Sequence, residues 1–79
     1  MSIETAFGEV IRGLRKEIGR SQEDIAFDSA LDRSFISQLE TGRQQPSLIT
    51  IFQLAKALGV SPSQIVSSVE DKLREEAGK

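Results

Sequence analysis

Residues 31–42 read LDRSFISQLETG, and the fold turns on how this stretch divides its two faces. Ile36 and Leu39 are three residues apart, the spacing of one side of a helix, and Phe35 widens that stripe. Arg33, Ser34, Ser37 and Gln38 fall on the other side. They are long or hydrogen-bonding groups, unlike the Glu/Lys mixture of a plain solvated face, so this side of the helix has something to recognise. Asp32 stands where an N-cap belongs. Gly42 suits the left-handed backbone that ends a helix. A helix over about 33–40 is predicted.

Upstream, SQED at 21–24 sets an acid three residues after a serine, a capping box with Asp in place of Glu or Gln. The helix it opens buries Ile25 and Ala26 and ends near Ser29. Before it, Phe7, Val10, Ile11, Leu14 and Ile18 follow a helical repeat over 4–18, closed by Gly19. Downstream, TGRQQP breaks the chain and Ser47 caps a fourth helix over about 48–58. Its apolar positions are Leu48, Ile51, Phe52, Leu54, Ala55 and Leu58, and Gly59 stops it. Ser61, Pro62 and Gln64 spell the start of a fifth helix over about 62–74, which carries Ile65, Val66, Val69 and Leu73 and then frays through REEAGK. No segment has the period of a strand. The expected fold class is all-α, a compact five-helix domain occupying residues 1–79.

Bulk composition narrows the function. At 79 residues there is one domain with a marginal core, since a chain of this size buries only about 60% of its unfolded surface. Neither cysteine nor histidine is present. Disulfides and cysteine metal sites are thereby excluded, and the commonest general base and metal ligand are missing. No apolar run approaches the roughly 20 residues that span a bilayer, and MSIETAFGEV lacks the basic start and apolar block of a secretory signal. A cytoplasmic protein is expected, with no membrane partner, cofactor, metal or small-molecule ligand and no catalytic residues. The net charge of −2 argues against nucleic acid, whose binders are usually basic. Contacts use local patches, however. The acids gather in QEDIAFD and VEDKLREE, whereas 41–56 holds Arg43 and Lys56 and no acid.

Two short helices joined by a turn of about four residues are the outline of a helix-turn-helix over 21–40. In that motif the second helix enters the major groove and its N-terminal residues meet base edges. Arg33 can pair with guanine O6 and N7, Gln38 with adenine, and Ser34 and Ser37 with either.

The wording adds to the spacing. SQEDIA, ISQLETGRQQPS and LAKALGVSPSQI, in that order, resemble the phage repressor/Cro class of helix-turn-helix proteins, the XRE family, over about residues 7–66. Within it, LDRSFISQLETG looks most like the controller proteins of restriction–modification systems. The resemblance implies base-facing roles for Arg33, Ser34, Ser37 and Gln38. It implies phosphate contacts for Gln22, Thr41 and Arg43, and a buried ion pair between Arg15 and Glu40. Gln44 and Arg20 are further candidates for phosphate, while Arg12 and Lys16 read as solvated. Ala30 departs from the pattern, which usually has glycine at this turn.

A twofold dimer would set two recognition helices about 34 Å apart on a partly palindromic site. The fifth helix is the expected dimerisation element, with Val66 and Val69 in the seam and Leu48 and Phe52 shared with the partner. The function expected is a sequence-specific, homodimeric transcriptional regulator of double-stranded DNA. RNA polymerase becomes a partner if it activates. The alternative is an antitoxin-type interaction protein that holds a toxin through the acidic tail VEDKLREEAGK.

Overall fold

Each of the four junctions between helices combines a left-handed residue with an N-cap. The computed structural model describes residues 1–78 and contains α1 (Ile3–Glu17), α2 (Gln22–Ser29), α3 (Arg33–Glu40), α4 (Leu48–Leu58) and α5 (Pro62–Ala77). Gly19, Ala30, Gly42 and Gly59 carry the positive φ that turns the chain out of α1, α2, α3 and α4. Extended residues Ser21, Asp32, Ser47 and Ser61 then open the next helix. Ser21 and Ser61 complete reciprocal capping boxes with Asp24 and Gln64, each satisfying two backbone donors that a helix start leaves unpaired. Ser47 accepts from the Thr50 N–H, and Ser2 from that of Thr5, so α1 begins a residue earlier than its apolar repeat.

Three expectations need correction here. Asp32 has the backbone of an N-cap, but its side chain makes no capping hydrogen bond. Ile18 is the C-cap of α1 and is exposed, because the chain is already leaving the helix there and no longer follows its repeat. The REEAGK stretch does not fray from its first residue: α5 continues through Ala77, and Lys79 lies outside the described residues.

The core draws on every helix. Phe7, Val10 and Ile11 of α1 meet Ile25 of α2, Ile36 and Leu39 of α3, Leu54 and Leu58 of α4, and Ile65 and Val69 of α5. Helix α1 packs on α3 and α5, while α2 packs on α3 and α4. Gly8 allows the first of these approaches: a Cβ there would lie 2.6 Å from the Glu40 carbonyl oxygen and would also overlap that of Leu39. Ala30 holds φ 60° and ψ 32° without being glycine. That conformation crowds its Cβ and costs about 1–2 kcal/mol. The crowding is tolerated because the Ala30 N–H bonds the Phe27 carbonyl and the Leu31 N–H bonds that of Ala26, closing α2.

Candidate nucleic-acid interface

Helix α3 buries Ile36, Leu39 and Glu40 and turns Arg33, Ser34 and Gln38 to solvent, with Ser37 and Phe35 half-buried at the two edges. At 100° per residue, Ser34 and Gln38 lie one turn apart and point away from the core. The polar face read from LDRSFISQLETG therefore exists as one continuous surface. It borders the 41–46 loop, where Arg43 and Gln44 are exposed.

Electrostatics separate the arginines of this region into two kinds. Arg15 and Arg20 are paired. Arg15 Nε donates to Glu40 Oε2 at 2.7 Å and its Nη2 to Oε1 at 3.0 Å. The two side chains are only 12% and 3% exposed. The hydrogen bond to Glu40 holds the guanidinium above its usual pKa, against the effect of burial. Arg20 binds Asp28 and also lies 3.5 Å from Asp24, so a phosphate would compete with two carboxylates for it. Arg33 and Arg43, by contrast, have no carboxylate partner among the described residues. Both are exposed and available to an anionic ligand.

Glu40 organises more than the ion pair. Its Oε1 also accepts from Gln22 Nε2 at 3.1 Å, which fixes that amide at the start of α2 and leaves it one further N–H. The Arg15 Nη1 donates to the Arg20 carbonyl at 2.9 Å. One buried carboxylate thus joins α1, the first residue of α2 and the last of α3. The Thr41 hydroxyl donates back to the Ser37 and Gln38 carbonyls, at 3.1 and 3.2 Å. A hydroxyl has one hydrogen, so a phosphate would compete with these carbonyls for it.

A second surface lies on α4 and α5. Leu48, Ile49 and Phe52 are 70%, 72% and 56% exposed, and Val66 is also exposed. Ile49 was not singled out in the sequence, because it falls outside the stripe that fills the core. A shallow depression nearby is lined by Ile3, Phe7, Pro46, Ile51, Val66 and Val69. Val69 itself is 8% exposed and belongs to this chain's own core, which leaves Val66 as the exposed apolar side chain of α5. No helix among the described residues is long and apolar enough to cross a membrane, and no cluster of acidic side chains there could hold a metal ion.

A five-helix domain whose α2 and α3 form a helix-turn-helix, with an open polar face on the second helix, defines a class of DNA-binding regulators. The helix-turn-helix family model matches residues 11–65, and the chain belongs to that family. It is 38% identical over 66 residues to the control protein C.BamHI of Bacillus amyloliquefaciens, covering 82% of each chain. It is 35% identical over 71 residues to the HTH-type transcriptional regulator y4dJ of Sinorhizobium fredii, covering 90% of this chain and 92% of that one. Among solved structures it is similar to the restriction–modification controller protein C.AhdI of Aeromonas hydrophila. The identity there is 43% and the TM-score 0.76, over 77% of this chain and 92% of that one. The resemblance to the phage repressor/Cro class and its controller proteins, drawn from the wording of the sequence, agrees with these matches.

Proposed function

We propose that this chain is a sequence-specific transcriptional regulator that binds a partly palindromic operator as a homodimer, in the manner of a restriction–modification controller protein. The observation that carries the reading is the unpaired state of Arg33 and Arg43, beside a polar α3 face that is otherwise uncharged. Arg33, Ser34, Ser37 and Gln38 read base edges, with a bidentate arginine–guanine pair worth roughly 1–3 kcal/mol of discrimination. Arg43, Gln44 and the remaining amide hydrogen of Gln22 hold phosphates on either side. The ion pair of Arg15 and Glu40 sets the angle at which α3 is offered. Leu48, Ile49, Phe52 and Val66 form the seam, where a second copy covers these exposed apolar side chains. Regulation then follows protein concentration through dimerisation and the filling of sites. A polymerase contact is required only if the outcome is activation.

The test is selection of random duplexes by the purified chain, followed by sequencing of the enriched pool. The expected result is a twofold-symmetric motif with half-sites about ten base pairs apart. Val66→Glu should lower affinity for that motif while leaving the helical content of the chain unchanged. A folded wild-type chain that enriches nothing would sink the reading.

A further inference from the structure

We propose that Phe35 reads the 5-methyl group of a thymine in each half-site, a contact that rests on the regulator reading above. Phe35 is the third residue of α3, in the first turn, the part of a recognition helix that meets base edges. Its direction on the helix is adjacent to those of Ser34 and Gln38, the two residues that point most directly away from the core. The ring is half-buried and packs against the core cluster; on the helix it stands about 60° from Gln38, at the edge of the polar face. Its exposed part carries no donor or acceptor. In the major groove the apolar feature of a base edge is the thymine methyl, and a phenylalanine ring is among the groups that meet it. The packing that fixes the ring also means that little side-chain freedom remains to be lost on binding. Among Arg33, Ser34, Ser37 and Gln38 no side chain offers a comparable apolar surface; the serines and Gln38 can satisfy hydrogen bonds but not a methyl group. Phe35 therefore adds a thymine preference that the polar residues do not supply.

The experiment replaces each thymine of the selected operator in turn by deoxyuridine, which removes the methyl and leaves the Watson–Crick edge intact. One thymine, at symmetric positions in the two half-sites, is expected to lose about fourfold in affinity per half-site, the equivalent of roughly 0.8 kcal/mol for one buried methyl. Phe35→Ala should bind the thymine and uracil forms of that position equally, while keeping its preference at every other base. Since Phe35 also packs on the core, Phe35→Val is measured in parallel; it keeps an apolar group against the core but withdraws the ring. Uracil tolerated at every position, an operator without thymine in its half-sites, or a methyl preference that survives in both variants would each overturn the assignment to Phe35 and leave the regulator reading standing. Failure of the wild-type chain to select any operator would overturn both.

Discussion

Arg15→Ala tests the interaction on which the orientation of α3 depends. The substitution removes two hydrogen bonds to Glu40, at 2.7 and 3.0 Å, and a third to the Arg20 carbonyl at 2.9 Å. It leaves the Glu40 carboxylate, 3% exposed, with Gln22 as its hydrogen-bond partner. Both side chains are nearly withdrawn from water, so solvent screening does not reduce the effect to that of a surface pair. Breaking a buried pair by removing one partner costs about 3–5 kcal/mol. A chain of this size has a total stability of roughly 4–12 kcal/mol. At about 4–8 °C per kcal/mol for a small domain, the midpoint of thermal unfolding should fall by roughly 12–40 °C. Circular dichroism at 222 nm, with calorimetry to check two-state behaviour, measures it. The companion variant Arg15→Met with Glu40→Leu removes both charges at similar volume and should regain most of the loss. A fall of less than about 4 °C in Arg15→Ala would place the pair in the range of exposed salt bridges and refute its role as a buried strut. If instead the double variant recovers nothing, the loss comes from the Arg20 carbonyl and not from the stranded carboxylate.

Gly8→Ala should destabilise the chain by about 1–3 kcal/mol, because the new Cβ meets backbone carbonyls that cannot swing aside; an unchanged melting midpoint would show that α1 and α3 do not approach so closely. Ala30→Gly should be neutral or stabilising by up to about 1 kcal/mol, relief of the left-handed strain outweighing the extra entropy of the unfolded chain, and a clear drop in the midpoint would count against that balance. In DNA binding, Arg43→Ala should weaken all sequences alike and reduce the slope of affinity against salt by about two for the dimer, one for each half-site, whereas Arg33→Ala should relax one base position per half-site; titrations at several salt concentrations separate the two, and identical effects would contradict the assignment. The Asp24 carboxyl is held below its ordinary range by the backbone N–H and hydroxyl of Ser21, with Arg20 adding to the effect. A depressed pKa gives stability that is complete above the unfolded value, near pH ~3.9, and is lost as pH falls through the folded one. Asp24→Asn should therefore flatten the acid side of the stability profile, and an unaltered profile would mean the capping box contributes nothing there.

Local chemistry was the legible part of the fold. A serine answered by Asp or Gln three residues on, a proline in the first turn and glycines after the last apolar repeat all act within one turn of chain, so Ser21, Ser61 and Gly59 could be placed without any tertiary knowledge. The same reasoning fails where the answer depends on what lies opposite. Ile65, Val66, Val69 and Leu73 fall within an arc of about 100° on α5, so spacing groups them on one face without marking where this chain's core ends and the exposed apolar edge begins. The structure sends Val69 inward and leaves Val66 outside.

The interface divides along the same line. Which face of α3 is polar follows from spacing alone, and Arg33, Ser34 and Gln38 are exposed as that spacing requires. What each polar group is doing is a matter of rotamers and partners. Thr41 lies one residue past α3, beside the expected phosphate path, yet its hydroxyl is spent on the carbonyls one turn back. Those carbonyls already accept the Thr41 and Arg43 backbone N–H groups, and their second lone pairs give a threonine just past the helix a local use that competes with any ligand. Arg20 is likewise engaged by local partners: Asp24 in the first turn of α2 and Asp28 one turn further along the same face both reach it. Arg33 follows the exposed Asp32 but makes no ion pair with it, and Arg43 lies in the 41–56 segment, which contains no acid. Arg33 and Arg43 are thus exposed and without an ion-pair partner among the described residues, on the side of the chain where the proposed contacts to bases and phosphate lie.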